Sequence, residues 1–227
     1  MALDEPLPDA TAHVLVRVWL PDRPGALGLV ASRIGAARGD IMGIDVLEQS
    51  DRIVVDEFAV NLPDIELVPM LVREIEEVDG ASVEEVRVVA NFPDPRLDAL
   101  ESASRLCDAT SPVALQTSLV SDTRAEFLAD WAALVCGEDV LASVGDDVPS
   151  AAALSALSAG TTASAHVSAG RSGPDDLAVA ALPAIHATLL LGRSGHPFRR
   201  RERAQLLALA RIADRASQLL GASLSDS

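Results

Sequence analysis

The sequence predicts an α+β protein of two domains. Three observations carry this. Over residues 12–90 the apolar period switches between two and about 3.6 in the order β-α-β-β-α-β. A stretch with two prolines, "ANFPDPRLDAL" (90–100), separates that unit from the rest of the chain. Beyond it, two apolar strand-like runs lead into one long amphipathic run that closes the chain.

Each element has its own signal. "HVLVRVWL" (13–20) alternates Val14, Val16, Val18 and Leu20 on one face, as in a strand with a buried side. The other face carries Leu15 and Trp19 beside Arg17, so something must cover part of it. From Pro24 the spacing becomes helical through Leu27, Val30, Ile34 and Ala37, and Gly39 is the expected stop. "IMGIDVLE" (41–48) and "RIVVDEFAVNL" (52–62) read as a hairpin turned by "QSD". Pro63 and Asp64 open a second helix with Leu67, Leu71, Ile75 and Val78 in line, and Gly80 ends it. "SVEEVRVVA" (82–90) is the last strand. This order is the ferredoxin-like split βαβ, four antiparallel strands with both helices on one face.

Composition narrows the function. The formal net charge is −16 and all 18 basic residues are Arg, so a general nucleic-acid surface is not expected. No run of 18 or more apolar residues occurs, and no membrane span is expected. Residues 1–11 and 222–227 read as tails. The acidic, proline-containing start does not resemble a secretory leader, which suggests a cytoplasmic chain. Cys107 and Cys136 lie in helix-like apolar stretches and read as buried free thiols.

The join of the first strand and helix, "LPDRPGALGLV" (20–30), holds Asp22, Arg23, Pro24 and Gly25 together. Pro24 suits a first helical turn, where its missing N–H costs nothing. Gly25 admits a close approach to the backbone. The N–H groups of Gly25, Ala26 and Leu27 would be left unpaired at a helix N-terminus, a setting that favours a carboxylate. Asp22 has two readings, a helix cap or a partner for a ligand ammonium.

"DRPGALGLVASRIGAARGDIMGIDVLE" resembles an ACT domain, a small regulatory module of amino-acid metabolism, and the likeness spans about residues 12–90. The Asp-Arg-Pro-Gly turn carries it, together with Gly39, Asp40 and Ile41 at the start of the second strand. The resemblance implies a free amino acid bound between two modules. Asp22, Arg23, Pro24, Gly25, Ala26 and Leu27 would lie on one side, and Asp40, Ile41 and Met42 across the seam. Asp22 or Asp40 would meet the ammonium. Many amino-acid-binding members carry Asn at one of these two positions. It also implies a homodimer through these modules, consistent with edge strands that need cover.

In the second half, residues 91–97 read as a linker. Helices are expected at about 97–107 and 111–136, the latter anchored by Leu115, Leu128, Trp131 and Leu134. Residues 149–172 form a small-residue segment, partly a loop. "DLAVAALPA" and "HATLLLGR" read as strands and 199–220 as a helix. The segment from "ATLLLGR" through Pro197 and Phe198 into that helix resembles the end of a GAF domain, over about 98–221. That likeness implies a sensor or dimerisation module. Arg199, Arg200, Arg201 and Arg203 read as a solvated face.

No catalytic constellation emerges. His13, His166, His186 and His196 lack metal-ligand spacing to Cys or Glu, and no nucleophile elbow or phosphate loop occurs. Neither a metal nor a cofactor is expected. The sequence therefore points to a non-catalytic regulatory protein that binds an amino acid and signals through its second domain. The alternative is a docking or dimerisation partner of a biosynthetic enzyme or regulator, with no amino-acid ligand.

Overall fold

Strand β1 (Ala12–Pro21) lies between β3 (Ile53–Leu62) and β4 (Ser82–Val89), and β2 (Asp40–Gln49) is hydrogen-bonded to the far side of β3. The coordinates are a computed structural model that describes residues 11–50, 52–162 and 176–225. The sheet is antiparallel with order β2-β3-β1-β4. Helices α1 (Ala26–Ala36) and α2 (Val68–Glu76) supply Val30, Ile34, Leu71 and Ile75 to the core formed by Val14, Val16, Val18, Leu20, Phe58, Val60 and Leu62. A one-turn 3-10 helix, Ile65–Leu67, precedes α2, and the Asp64 carboxylate caps it by accepting from the Glu66 N–H at 2.9 Å.

The opposite face of this sheet is buried by charge. Arg17, 2% exposed, donates to Glu57 at 2.9 and 3.2 Å, and Glu84 and Glu85 each approach it to 4.0 Å. Arg87 ties Glu57 to Glu85, and the Trp19 indole donates to Glu84. The glycine expected to stop α1 works differently. Arg38 takes the left-handed conformation (φ 65), while a Cβ on Gly39 would meet Ile34 and Val60 at 2.8 Å. Gly39 is kept for space, not for its φ.

The chain divides into two compact units between Pro93 and Asp94. The second unit holds its own antiparallel sheet, order β6-β5-β8-β7, from β5 (Trp131–Cys136), β6 (Asp139–Gly145), β7 (Leu177–Leu182) and β8 (Ala187–Gly192). Helices α3 (Pro95–Cys107), α4 (Pro112–Glu126) and α6 (Arg200–Ser225) bury Leu106, Leu115, Leu119, Leu206 and Leu209 against one face. Leu154 of α5 (Ala151–Thr162) packs on the other with Val135, Val179 and Leu190. The protein is thus α+β with two antiparallel sheets.

The helix expected over 111–136 does not persist. α4 ends at Glu126, Leu128 adopts φ 50, and the chain re-enters as strand β5, so Trp131 and Leu134 lie in a sheet. Cys136 is therefore in a strand, and Cys107 is exposed at the end of α3. The first part of the 149–172 segment is helical as α5, and the rest, with His166, lies outside the described residues. Among the described residues no helix is long and apolar enough to cross a membrane.

Candidate functional site

The β1–α1 turn is built by backbone bonds. Asp22 donates its N–H to the Arg52 carbonyl at 2.9 Å, which fastens the turn to the start of β3. Arg23 N–H returns to the Pro21 carbonyl at 2.8 Å, and Ala26 N–H reaches the Arg23 carbonyl at 3.2 Å. Gly25 is the N-cap with φ 89 and ψ −13, a left-handed conformation that side chains resist. Gly25→Ala would strain the turn with or without a ligand. Pro24 consequently precedes the cap and does not occupy the first helical position.

No side chain caps α1. The first helical bond is Leu29 N–H to the Gly25 carbonyl, at 3.0 Å. Among the described residues the N–H groups of Gly25, Leu27 and Gly28 meet no acceptor. The free donors are therefore Gly25, Leu27 and Gly28; Ala26, expected among them, is bonded. Space is open above this end, since a Cβ on Gly25 or Gly28 would meet nothing within 4 Å. Unpaired donors at the positive end of a helix dipole suit an anion.

Asp22 is exposed, and its Oδ2 accepts from the Gln49 side chain at 3.2 Å instead of capping the helix. Arg23 turns away to Asp79, 3.8 Å from its carboxylate and 3.4 Å from its carbonyl. That exposed pair contributes little stability. Asp40, Ile41 and Met42 begin β2, with Asp40 opposite Asn61, whereas Gln49 at the other end lies opposite Val54 beside the turn. A ten-residue strand spans about 30 Å. Within one chain, then, Asp40–Met42 and the turn stand at opposite ends of the sheet.

The structure adds a residue that the sequence pattern alone did not single out. Asp56 pairs with Val18 across β1–β3 and with Val46 across β2–β3, which puts it on the helix-bearing face among core side chains. It is 4% exposed, and among the described residues its Oδ1 is buried without a hydrogen-bond partner. Burial pushes its carboxyl from about 3.8 to about 6, and the neighbouring Asp22 charge adds to the rise. The signal was legible: in Val54-Asp56-Phe58-Val60-Leu62 an acid interrupts the inward set of an alternating strand. A buried carboxylate within reach of the charge of Asp22, itself in a turn with free amide donors, offers opposite polarities to one small ligand.

The second unit has a cavity of about 480 Å3 bordered by Asp130, Trp131, Leu157, Gly192, Arg193 and Ser194. Its main polar groups are already engaged. Arg193 donates to Glu202 at 2.9 and 3.2 Å and to the carbonyls of Phe127, His196 and Pro197, and it lies 4.1 Å over the Phe198 ring. Asp130 accepts from the Ser194 hydroxyl and N–H, which holds its carboxyl below the usual range. The arginine cluster is not a solvated face throughout. Arg199 and Arg203 are buried, and Arg203 donates to the Phe198 and Leu177 carbonyls. Among the described residues no three His, Cys, Asp or Glu side chains group closely enough to hold a metal ion.

No family model matches the chain, and no curated protein does. Several solved structures are similar in part, among them these two. One is the ACT domain of a GTP pyrophosphokinase from Chlorobium tepidum, at 19% identity and a TM-score of 0.28, covering 38% of this chain and 92% of that one. The other is a bacteriophytochrome from the photosynthetic bacterium R. palustris, at 13% identity and a TM-score of 0.40. That match covers 77% of this chain, which spans 47% of the phytochrome's length. Likenesses at this level carry no functional weight.

Proposed function

We propose that the N-terminal unit binds a free α-amino acid at the β1–α1 turn, and that the protein is a non-catalytic regulator whose second, GAF-like unit passes the signal on. The observation that supports this reading is the uncapped α1 N-terminus, with free N–H groups on Gly25, Leu27 and Gly28, lying beside the carboxylates of Asp22 and Asp56. The amide donors suit the ligand carboxylate and the acids its ammonium. In a homodimer of N-terminal units, Asp40, Ile41 and Met42 of a second copy would complete the site. A thermal-shift screen against the twenty amino acids tests the reading. A ligand at 100 times its Kd adds about 2.7 kcal/mol to stability. Absence of any shift at millimolar concentrations refutes it.

One observation favours a second reading, a docking module without an amino-acid ligand. Strand β2, at the edge of the sheet among the described residues, exposes Met42, Ile44 and Val46 as an apolar strip. A module of this kind would co-purify with a biosynthetic enzyme or regulator and ignore all twenty amino acids.

A further inference from the structure

We propose that Asp56 is the group that selects for a protonated amine at the turn site, pairing with the ligand ammonium while the ligand carboxylate lies on the N–H groups of Leu27 and Gly28. This rests on the amino-acid reading above and names the residue that would give it specificity. Two independent features lie near one another, since Asp22 of the turn is close enough for its charge to act on Asp56. One is the uncapped helix end, with open space above it. The other is a carboxylate more than nine-tenths buried, with an unpartnered Oδ1, on the face of the sheet that carries α1.

A buried acid with no donor is costly, and natural cores rarely keep one without a partner. A hydrophobic residue at position 56 would complete the inward row of Val54, Phe58, Val60 and Leu62. The acid therefore lacks a structural reason within the described unit. Asp22 is the weaker candidate for the ammonium. It is solvent-exposed and already engaged by Gln49, so an ion pair there gains little. Asp56 is in addition reluctant to ionise, for the burial already described, and an approaching ammonium would relieve that cost. The rim between the exposed turn and the exposed Val46 of β2 is the side from which a small ligand would reach it. The site should accept α-amino acids and reject carboxylic acids whose amine is absent or acylated.

The test uses the full chain and three proteins: wild type, Asp56→Asn and the control Glu76→Gln. The probes are the twenty L-amino acids and their N-acetyl derivatives, each added singly, with affinity read by calorimetry and thermal shift. Asp56→Asn removes an unpaired buried charge and keeps the side-chain shape, so the variant should remain folded. The expected result is that wild type binds at least one free amino acid and prefers it to its N-acetyl form by at least about tenfold. Asp56→Asn should lose most of that preference, and Glu76→Gln, which neutralises an exposed acid at the end of α2 outside the site, should keep it. If Asp56→Asn discriminates amine from N-acetyl as well as wild type does, the assignment to Asp56 is wrong while the amino-acid reading stands. If wild type binds none of the twenty, the amino-acid reading fails and takes this inference with it.

Discussion

Replacing Asp56 by Asn should make the apo protein more stable at neutral pH, an unusual outcome for a polar change in a core. The carboxyl titrates at about 6 in the folded unit against about 3.8 ordinarily, so the fold prefers the protonated acid by roughly two pKa units. At about 1.36 kcal/mol per unit, ionisation costs the wild type up to about 3 kcal/mol. The sign follows from proton binding. Between the two values the folded state holds more protons than the unfolded one, so stability falls as pH rises from about 4 to about 6 and is level above. Asn cannot ionise and escapes that loss. The variant and wild type should therefore be close at pH 4 and separate by up to about 3 kcal/mol above pH 7. Trp19 belongs to the N-terminal unit and Trp131 to the second, so in a Trp131→Phe background fluorescence reports the unit that carries Asp56. For a unit of this size a urea slope near 1–1.5 kcal/mol/M turns about 3 kcal/mol into a midpoint shift of about 2–3 M. A midpoint difference that is absent at pH 7.5, or equal at pH 4 and pH 7.5, would refute the assignment of Asp56 as a buried, unpaired acid.

Two further outcomes probe the second unit. Gly192→Ala would drive a Cβ into the Trp131 ring, and the strand pair β5–β8 leaves little room for either to move. A loss of about 3 kcal/mol or more, read by urea unfolding, is expected, and a loss below about 1 kcal/mol would contradict it. Arg193→Met takes the guanidinium from Glu202, which keeps the Arg199 N–H, and removes the bonds to three carbonyls, at an expected cost of about 3 kcal/mol. Arg193→Met with Glu202→Met should recover part of that loss, and no recovery would show that the carbonyl bonds dominate.

The N-terminal unit was largely legible because its signals are local. The period switches at Pro21–Gly25 and again at Gly39–Asp40, and each helix is bounded by glycine, proline or aspartate. The site was only half legible. The turn could be foreseen with Asp22 as cap or ligand partner, but that it is uncapped and which N–H groups are free depends on the Asp22–Gln49 and Ala26–Arg23 bonds and on the φ of Gly25, none of which is written in residue type. Asp56 was visible as a break in alternation, yet it sat in a run otherwise apolar enough to read as plain strand. In the second unit the boundary between α4 and β5 has no glycine or proline. The turn rests on Leu128 at φ 50, a conformation rarely adopted by such a residue, so helix periodicity ran through it unbroken. Arg199 and Arg203 misled for a related reason. The burial of Arg203 comes with bonds to distant carbonyls such as that of Leu177, a tertiary contact that charge patterning cannot reveal.

Amide chemical shifts of the 15N-labelled full chain, recorded while single amino acids are added to millimolar concentration, test the central claim most directly. At least one amino acid should move the Gly25, Leu27 and Gly28 resonances together, with a downfield proton shift at Leu27 and Gly28 as their free N–H groups acquire a carboxylate acceptor. Resonances at these three positions that stay fixed through all twenty titrations would contradict it.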